Sequence, residues 1–419
     1  MRFCRRRHVV AHDRICLWLL NPESDFSLTK TMQLRIILNM NPGACLGRFF
    51  SDRVPAENRV KSYHKILTVG LLSILAGAHF AAAAETTGDP MAQIKGFLVF
   101  KLQRMDAAAH DYVANANAYQ AIIDKWAGDY DRAAIGQGPE LLQLITKMQD
   151  DYRVYHNHGY ETIEGITAGT KAMVAFDTYL DGGVAKSEAS TDSPYSPMVL
   201  KTRDGRVISD RSGNLFHYVI EPALWGTKPY LVKKLAPAAA EKVKPVQVLP
   251  RADVLTASAD ECARKLDELL VVAKAWQPTM DECVGALIWM TPTLNGYFDD
   301  WKNSRYDPVA SQGRYVAESR VLDMQGIMSS LALVCNAILP RIEGQNAALA
   351  KQLKYEYDGI LGFLQRVDQR DKSSGGKMSI PQIEELALQA KTLTDQLDPH
   401  LRQLAAVLSL KIPPKPTLI

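Results

Sequence analysis

The sequence predicts an all-α protein built as two antiparallel helical bundles. From residue 85 onward, apolar residues recur at the spacing of an amphipathic helix, as at Ile94, Leu98 and Leu102. Long helical stretches alternate with short polar breaks, and helices joined by short loops pack antiparallel. The 419 residues, 47% hydrophobic and 23% charged, are enough for two cores.

The first predicted bundle covers residues 85–235. Its helices are separated at residues 136–139, where Pro139 suits a first helical turn. Residues 182–213 are rich in Ser, Asp, Gly and Pro, which predicts an inserted loop with one hairpin turning at Asp204 and the glycine after it. Residues 236–254 contain three prolines and few large apolar residues, which is typical of a linker.

The second predicted bundle covers residues 255–413. Pro278, Pro308 and Gly344 separate its helical stretches. The five predicted helices are at about 255–276, 279–302, 312–340, 345–369 and 380–409. A repeat of 20 to 50 residues is absent, which argues against a solenoid.

Residues 1–84 are predicted to be a leader that ends in a signal peptide. A basic stretch beginning at Lys61 precedes an apolar run over 66–80 and then three alanines, 82–84. This order is typical of a secretory signal peptide and predicts export, with an uncleaved anchor helix as the alternative. Because signal peptides stand at the N-terminus, we expect the true start near Val60.

Charge and cysteine content limit the function classes. Residues 1–84 hold 12 of the 49 basic and 5 of the 46 acidic side chains, which leaves 37 basic against 41 acidic. Such a balance lacks the basic surface expected of a nucleic-acid-binding protein. Three cysteines follow the leader, Cys262, Cys283 and Cys335, and they allow one disulfide with a free thiol or three buried thiols.

The first candidate site is the segment YHNHGYETIEGI at residues 155–166. Glu161 and Glu164 share one face of a helix, where they could bind a cation or face water. His156 and His158 are two residues apart, so we expect at most one of them to join the glutamates.

The second candidate site is the segment LFHYVIEPALWGT at residues 215–227. His217 and Glu221 are four residues apart in an apolar helix, and a buried carboxylate needs a hydrogen bond, a positive charge or a metal. A purely structural hydrogen bond between these two side chains is the alternative, and Pro222 predicts a kink beside them.

Asp177 and Asp181 form a third acidic pair, four residues apart near a predicted helix end. Carboxylates there oppose the helix dipole, so a cation or a basic side chain should compensate them. Arg320 and Asp323 are predicted to form a structural ion pair.

Other chemistry has weaker support. The sequence lacks an HExxH helix, a GxSxG turn and a convincing Ser/His/Asp or Cys/His set. A cleft of aromatic side chains could hold sugar, although aromatic residues at helical spacing usually belong to the core and its rim. The aromatic residues considered are Trp225, Tyr230, Trp276, Trp289, Tyr297 and Trp301.

Three segments together resemble a known family. GYETIEG, FDTYLDGG and FHYVIEPALWGT are similar in order and spacing to the imelysin-like proteins, in particular the EfeM/EfeO group of bacterial iron uptake. The segment YVAESRVLDMQGIMSSLALV from Tyr315 is similar to the Ser-Arg-Leu-x-Asp-Ile segment of that family. The resemblance covers most of residues 92–413 and fits the members without a cupredoxin domain.

The resemblance implies a periplasmic, two-lobed helical protein that holds a metal ion. Iron is the metal that it favours, and Zn, Mn, Cu or Ca are the alternatives. The first activity that it allows is recruitment of iron for a membrane permease, with a periplasmic peroxidase as a further partner and with no bond made or broken. Its other implied activities are a metal-dependent peptidase, with Glu164 or Glu221 as base, and binding of an acidic polysaccharide.

The resemblance also assigns the metal ligands. One departure is that Tyr218 stands three residues before Glu221, where the family has histidine, while His217 stands four before. Both spacings reach one face of a regular helix. The expected ligands are Glu161, Glu164, Asp177 or Asp181, His217 and Glu221.

Overall fold

The computed structural model describes residues 88–182, 198–210, 214–306, 314–376 and 378–416. This part of the chain is all-α, as the sequence predicts. The predicted leader and signal peptide, residues 1–84, lie outside the described residues, as do most of the predicted inserted loop and the break at Pro308.

Long helices dominate the described residues, and three π-helical segments interrupt them. The α-helices are α1 (Pro90–Lys125), α2 (Tyr130–Tyr152), α3 (Glu161–Thr167), α4 (Val174–Asp177), α5 (Glu221–Leu224), α6 (Pro237–Ala240), α7 (Ala252–Ala275), α8 (Met280–Met290), α9 (Leu294–Tyr306), α10 (Arg314–Ile338), α11 (Pro340–Ser373) and α12 (Ile380–Val407). The π-helical segments are π1 (Arg153–Tyr160), π2 (Thr178–Gly182) and π3 (Phe216–Ile220). The 3₁₀ turns are Pro229–Leu231, Glu241–Val243 and Thr291–Thr293.

Local sequence accounts for the helix ends and breaks. The Asp89 side chain accepts a hydrogen bond from the Met91 amide at the start of α1, and Ser379 and Gln382 form a capping box at α12. The predicted break before Pro139 is a kink within α2, where Gln137 has φ −137° and ψ 28°. The prediction of one helix over 279–302 was wrong, because a 3₁₀ turn containing a proline separates α8 from α9.

Two small antiparallel two-stranded sheets accompany the helices. Strands β1 (Met198–Lys201) and β2 (Val207–Asp210) form the predicted hairpin, and Gly205 in its turn has φ +83°. Strands β3 (Val232–Lys234) and β4 (Val248–Pro250) form the second.

The predicted linker, residues 236–254, is folded against the helices. It contains α6, a 3₁₀ turn and β4, and its Val243 and Leu249 side chains are fully buried. Helix α7 begins inside this segment and packs against α1. This contact is the most extensive between any two of the described elements. Helices before and after the segment therefore pack against each other, and the division of the chain into two bundles stays a prediction.

The second half of the chain forms a set of packed helices. Helix α10 contacts α3, α9 and α11, and α12 contacts α9 and α11. Within the described residues, one helical stretch, Arg320–Ile338, has the length and hydropathy needed to cross a membrane, and 67% of it is buried in the protein. Cys262, Cys283 and Cys335 are free buried thiols, so the three-thiol alternative is confirmed.

Candidate metal centre

The candidate site is built at the three π-helical segments. His156 lies in π1, Asp181 in π2 and His217 in π3. A π-helical turn inserts an extra residue into the helical repeat, and such turns are found frequently at functional sites. Glu161, the fourth residue of the site, follows π1 directly as the first residue of α3.

The two imidazoles converge on one carboxylate oxygen. His156 Nε2 lies 3.1 Å from Asp181 Oδ1, and His217 Nε2 lies 2.9 Å from the same oxygen. His156 Nε2 also lies 2.9 Å from Glu161 Oε1. One ligand atom from each of these four residues lies within 4.8 Å of the other three. We name these four residues the central cluster.

His156 joins the cluster because π1 changes the helical repeat. Residues five apart lie about 140° apart around an α-helix, but a π-helical turn, with its i to i+5 hydrogen bond, brings them to the same side of the helix. The amide of Glu161 donates to the carbonyl oxygen of His156, which is the i to i+5 hydrogen bond of a π-helix. His158 is exposed, so one of the two histidines turns inward, in line with the sequence prediction.

A hydrogen bond fixes the orientation of His217. Its Nδ1 lies 2.6 Å from Glu221 Oε2, and its backbone amide donates to Asn214 Oδ1 at 2.7 Å. If Nδ1 carries the proton shared with Glu221, Nε2 presents its lone pair to Asp181. The Asn214 side chain also donates to the carbonyl oxygen of Asp181 and so ties π2 to π3.

Two further predicted ligands lie outside the central cluster. Glu164 accepts a hydrogen bond from the hydroxyl of Tyr297, and Asp177 Oδ1 accepts one from the hydroxyl of Tyr160 at 3.0 Å. The structure thus brings three of the six predicted ligands, Glu161, Asp181 and His217, into the cluster. Glu221 stands behind His217, and His156 was not among the predicted ligands.

The cluster is withdrawn from water. The side chains of His156 and Glu161 are 0% exposed, that of Asp181 is 3% exposed and that of His217 is 9% exposed. The alternative in which Glu161 and Glu164 face water was therefore wrong. Helix α10 packs against α3, and Gly326 lets its backbone approach Glu161 closely.

Aromatic rings enclose His156. The ring of Tyr152 stacks on the imidazole with centroids 4.7 Å apart, and the ring of Phe216 meets it edge-on at 5.0 Å. These contacts limit rotation of the imidazole and lower the local polarity, which strengthens electrostatic interactions.

The charges within the cluster are strongly interdependent. Burial alone would raise the pKa of Asp181, but the neighbouring His217 and His156 hold that pKa well below its usual range. Burial alone would lower the pKa of His156, yet the hydrogen bond and charge of Asp181 raise it. Burial and Arg320 act to lower the pKa of His217, and Asp181 and Glu221 raise it overall.

The surrounding carboxyl groups hold protons more tightly than usual. Burial, followed by the charge of Asp323, raises the pKa of Glu161 well above its ordinary value. Burial and the charge of Glu161 likewise raise the pKa of Glu164 well above its ordinary value. Burial and the charge of Asp181 raise the pKa of Asp177 to about 8. More carboxyl groups are buried here than the neighbouring positive charges can balance.

The predicted ion pair lies beside the cluster. Arg320 Nη1 is 3.6 Å from Asp323 Oδ2, and Asn157 donates to Asp323 Oδ1 at 3.3 Å. Burial raises the pKa of Asp323 to about 6, while Arg320 counteracts that rise. The pair thus connects α10 to π1 at the edge of the cluster.

Four of the six aromatic residues considered for sugar binding are buried or hydrogen-bonded within the protein. Trp301 is fully buried and Trp276 is 7% exposed. Trp289 Nε1 donates to the carbonyl oxygen of Pro413 at 3.1 Å, and Tyr297 donates to Glu164. These contacts favour the structural interpretation of the four side chains.

The donor set suits a transition-metal ion. Imidazole nitrogen combined with carboxylate oxygen serves Fe, Mn and Zn alike. Neighbouring ligand atoms around a six-coordinate ion with bonds near 2.1 Å are separated by about 3 Å. The three contacts of 2.9 Å, 2.9 Å and 3.1 Å match that spacing.

Comparison with known proteins identified no relative of this chain. No protein-family model matches the chain, and a search of curated proteins also gave no match. The imelysin-like resemblance therefore rests on the residues quoted above.

Proposed function

We propose that this protein binds a transition-metal ion through His156, His217, Asp181 and Glu161. The observation that carries the proposal is the convergence of two imidazole nitrogens and a second carboxylate on Asp181 in a site closed to water. Buried ionised side chains need a compensating partner, and a cation bound among these four atoms would supply it.

Unsatisfied polar atoms around the cluster favour a cation over purely structural pairing. Two ligand atoms of the cluster, Glu161 Oε1 and His217 Nε2, are buried and make no hydrogen bond of standard geometry within the described part of the chain. Native proteins leave few buried polar atoms unpaired, and such atoms often mark a site for an ion or water. If the side chains of the cluster served only to pair with one another, we would expect these atoms to have hydrogen-bond partners.

The proposed cargo is iron, and the proposed role is recruitment of iron outside the cytoplasm for a membrane permease. The donor chemistry is compatible with iron, and the resemblance to the EfeM/EfeO group supports iron over the other metals. Export rests on the predicted signal peptide. Glu221 would hold His217 in position for the ion, as carboxylates beside metal-binding histidines commonly do.

Equilibrium dialysis followed by elemental analysis tests the binding proposal. The full chain would be offered Fe²⁺ without oxygen, and Mn²⁺, Zn²⁺, Cu²⁺ and Ca²⁺ in parallel. We expect about one ion per chain at the central cluster of the wild type and a loss of that ion in Asp181→Asn. The matched control is Asp150→Asn, because Asp150 is exposed and pairs with Arg153 at the surface.

Two results would count against the proposal. Equal metal content in wild type and Asp181→Asn would place binding elsewhere, and an absence of binding in both would leave the cluster as a structural network. Cleavage of an unfolded protein by the metal-loaded wild type, lost in Asp181→Asn, would favour the peptidase alternative over recruitment.

A further inference from the structure

A second group of metal-ligating side chains lies at the surface between α1 and α7. Asp106 and His110 stand four residues apart on α1, and Asp267 faces them from α7. One ligand atom from each lies within 4.8 Å of the other two. The group shares no residue with the central cluster.

The spacing of these atoms fits a shared ion better than direct pairing. His110 Nε2 is 3.6 Å from Asp106 Oδ1 and 4.0 Å from Asp267 Oδ2, beyond the range of a good hydrogen bond. Ligand atoms around a tetrahedral Zn²⁺ with bonds near 2.1 Å are separated by about 3.4 Å. Small side-chain rotations would bring the three atoms to that spacing.

Asp106 lies against a second carboxyl group. Its Oδ1 is buried and makes no hydrogen bond of standard geometry among the residues that the structure describes, and His110 Nε2 lies 3.6 Å from it. Burial raises the pKa of Asp106, and a hydrogen bond with the carboxyl of Asp267 and the charge of that group raise it further, while His110 and Lys274 oppose the rise. Two carboxyl groups are thus held together where one of them is poorly solvated.

We propose that Asp106, His110 and Asp267 form a surface site for a divalent transition-metal ion such as Zn²⁺. The i, i+4 pair on α1 supplies two ligands from one helical face, and Asp267 closes the site from α7. Water completes the coordination, because the side chains of His110 and Asp267 are 57% and 55% exposed. The bound ion connects the two helices that pack most extensively in the described structure.

Calorimetric titration of the full chain with Zn²⁺ tests this site. We expect His110→Ala to bind one ion fewer than the wild type, or to bind the weaker ion about tenfold less tightly. Asp267→Asn should show the same loss, because it removes the ligand from the other helix. Thermal unfolding with excess Zn²⁺ should show a smaller metal-dependent rise in Tm for both variants.

The matched control is His400→Ala. His400 is partly exposed and lies 2.9 Å from one carboxylate, that of Glu356, so this variant should keep the wild-type stoichiometry. Equal numbers of ions and equal affinities in wild type, His110→Ala and Asp267→Asn would overturn the proposal. The result for this surface site can be distinguished from the result for the central cluster. If the central cluster binds no Zn²⁺, the wild type should still bind one ion and His110→Ala none.

Discussion

His217 and Glu221 form a directed pair in which imidazole Nδ1 and carboxylate Oε2 lie 2.6 Å apart. The pair turns the opposite nitrogen, Nε2, toward Asp181 Oδ1 at 2.9 Å. A carboxylate behind a histidine sets its tautomer and orientation and increases its basicity as a ligand. In the proposed metal site, Glu221 would therefore position His217, and His217 would contact the ion.

This assignment predicts different effects for the two residues. Glu221→Gln keeps an acceptor for Nδ1 but removes the charge, so we expect metal affinity to fall about 10- to 100-fold. His217→Ala removes the ligand itself and should lower the affinity further. Calorimetry with Mn²⁺ or Zn²⁺ measures both, and far-UV circular dichroism checks that helix content is kept. Equal losses in the two variants would instead make Glu221 a direct ligand.

Sequence patterns identified most of the helices and part of the site. Apolar spacing predicted the long helices, and an Asp-Gly pair predicted the first hairpin, because both signals are local. The composition of residues 236–254 predicted a linker but not its packing. Val243 and Leu249 are fully buried, and the 3₁₀ turn that contains Val243 packs against α2. Composition alone does not show which apolar residues will find such partners.

The central cluster was partly predictable for the same reason. Glu161, Asp181 and His217 were found from carboxylates and a histidine spaced for an α-helix. His156 was not assigned as a ligand, because its contact with Glu161 depends on the i to i+5 hydrogen bond of π1. Apolar spacing in the sequence does not reveal such a turn, and an α-helical projection separates the two side chains.

The close approach of α10 to Glu161 predicts that Gly326→Ala is destabilising. A Cβ there would lie 2.8 Å from Glu161 Cβ and 2.9 Å from its carbonyl carbon. Because the backbone on the other side cannot rotate away, we expect a loss of about 1–3 kcal/mol in the free energy of unfolding. Urea unfolding measures this loss, and metal affinity should fall with it.

Gly359→Ala is the matched control for that substitution. Gly359 lies inside α11 and is exposed, and a Cβ there would meet no atom within 4 Å. Alanine at this position should stabilise the helix by about 0.5–1 kcal/mol. A loss of stability of similar size in both variants would contradict the packing explanation.

Asp151 predicts a pH-dependent effect on stability away from the cluster. Burial raises its pKa to about 6, although Asn115 donates a hydrogen bond to its Oδ2 at 2.7 Å. The folded state therefore binds this proton more tightly than the unfolded state, and stability from this group is lost as pH rises from about 4 to about 6.

Asp151→Asn should remove that penalty. The variant should gain stability relative to wild type as pH rises from about 4 to about 6, and keep the gain above pH 6. Because the side chain is partly exposed, the gain should stay below about 1 kcal/mol. Urea unfolding at several pH values measures it, and a difference that does not change with pH would contradict the prediction.

The most direct test of the central claim compares His156→Ala with His158→Ala. The two histidines are two residues apart in π1, but His156 is fully buried in the cluster and His158 is exposed. After dialysis against Fe²⁺ without oxygen, elemental analysis should find the central ion lost from His156→Ala and retained in His158→Ala. Equal iron content in these two variants would contradict a metal centre at the π-helical segments.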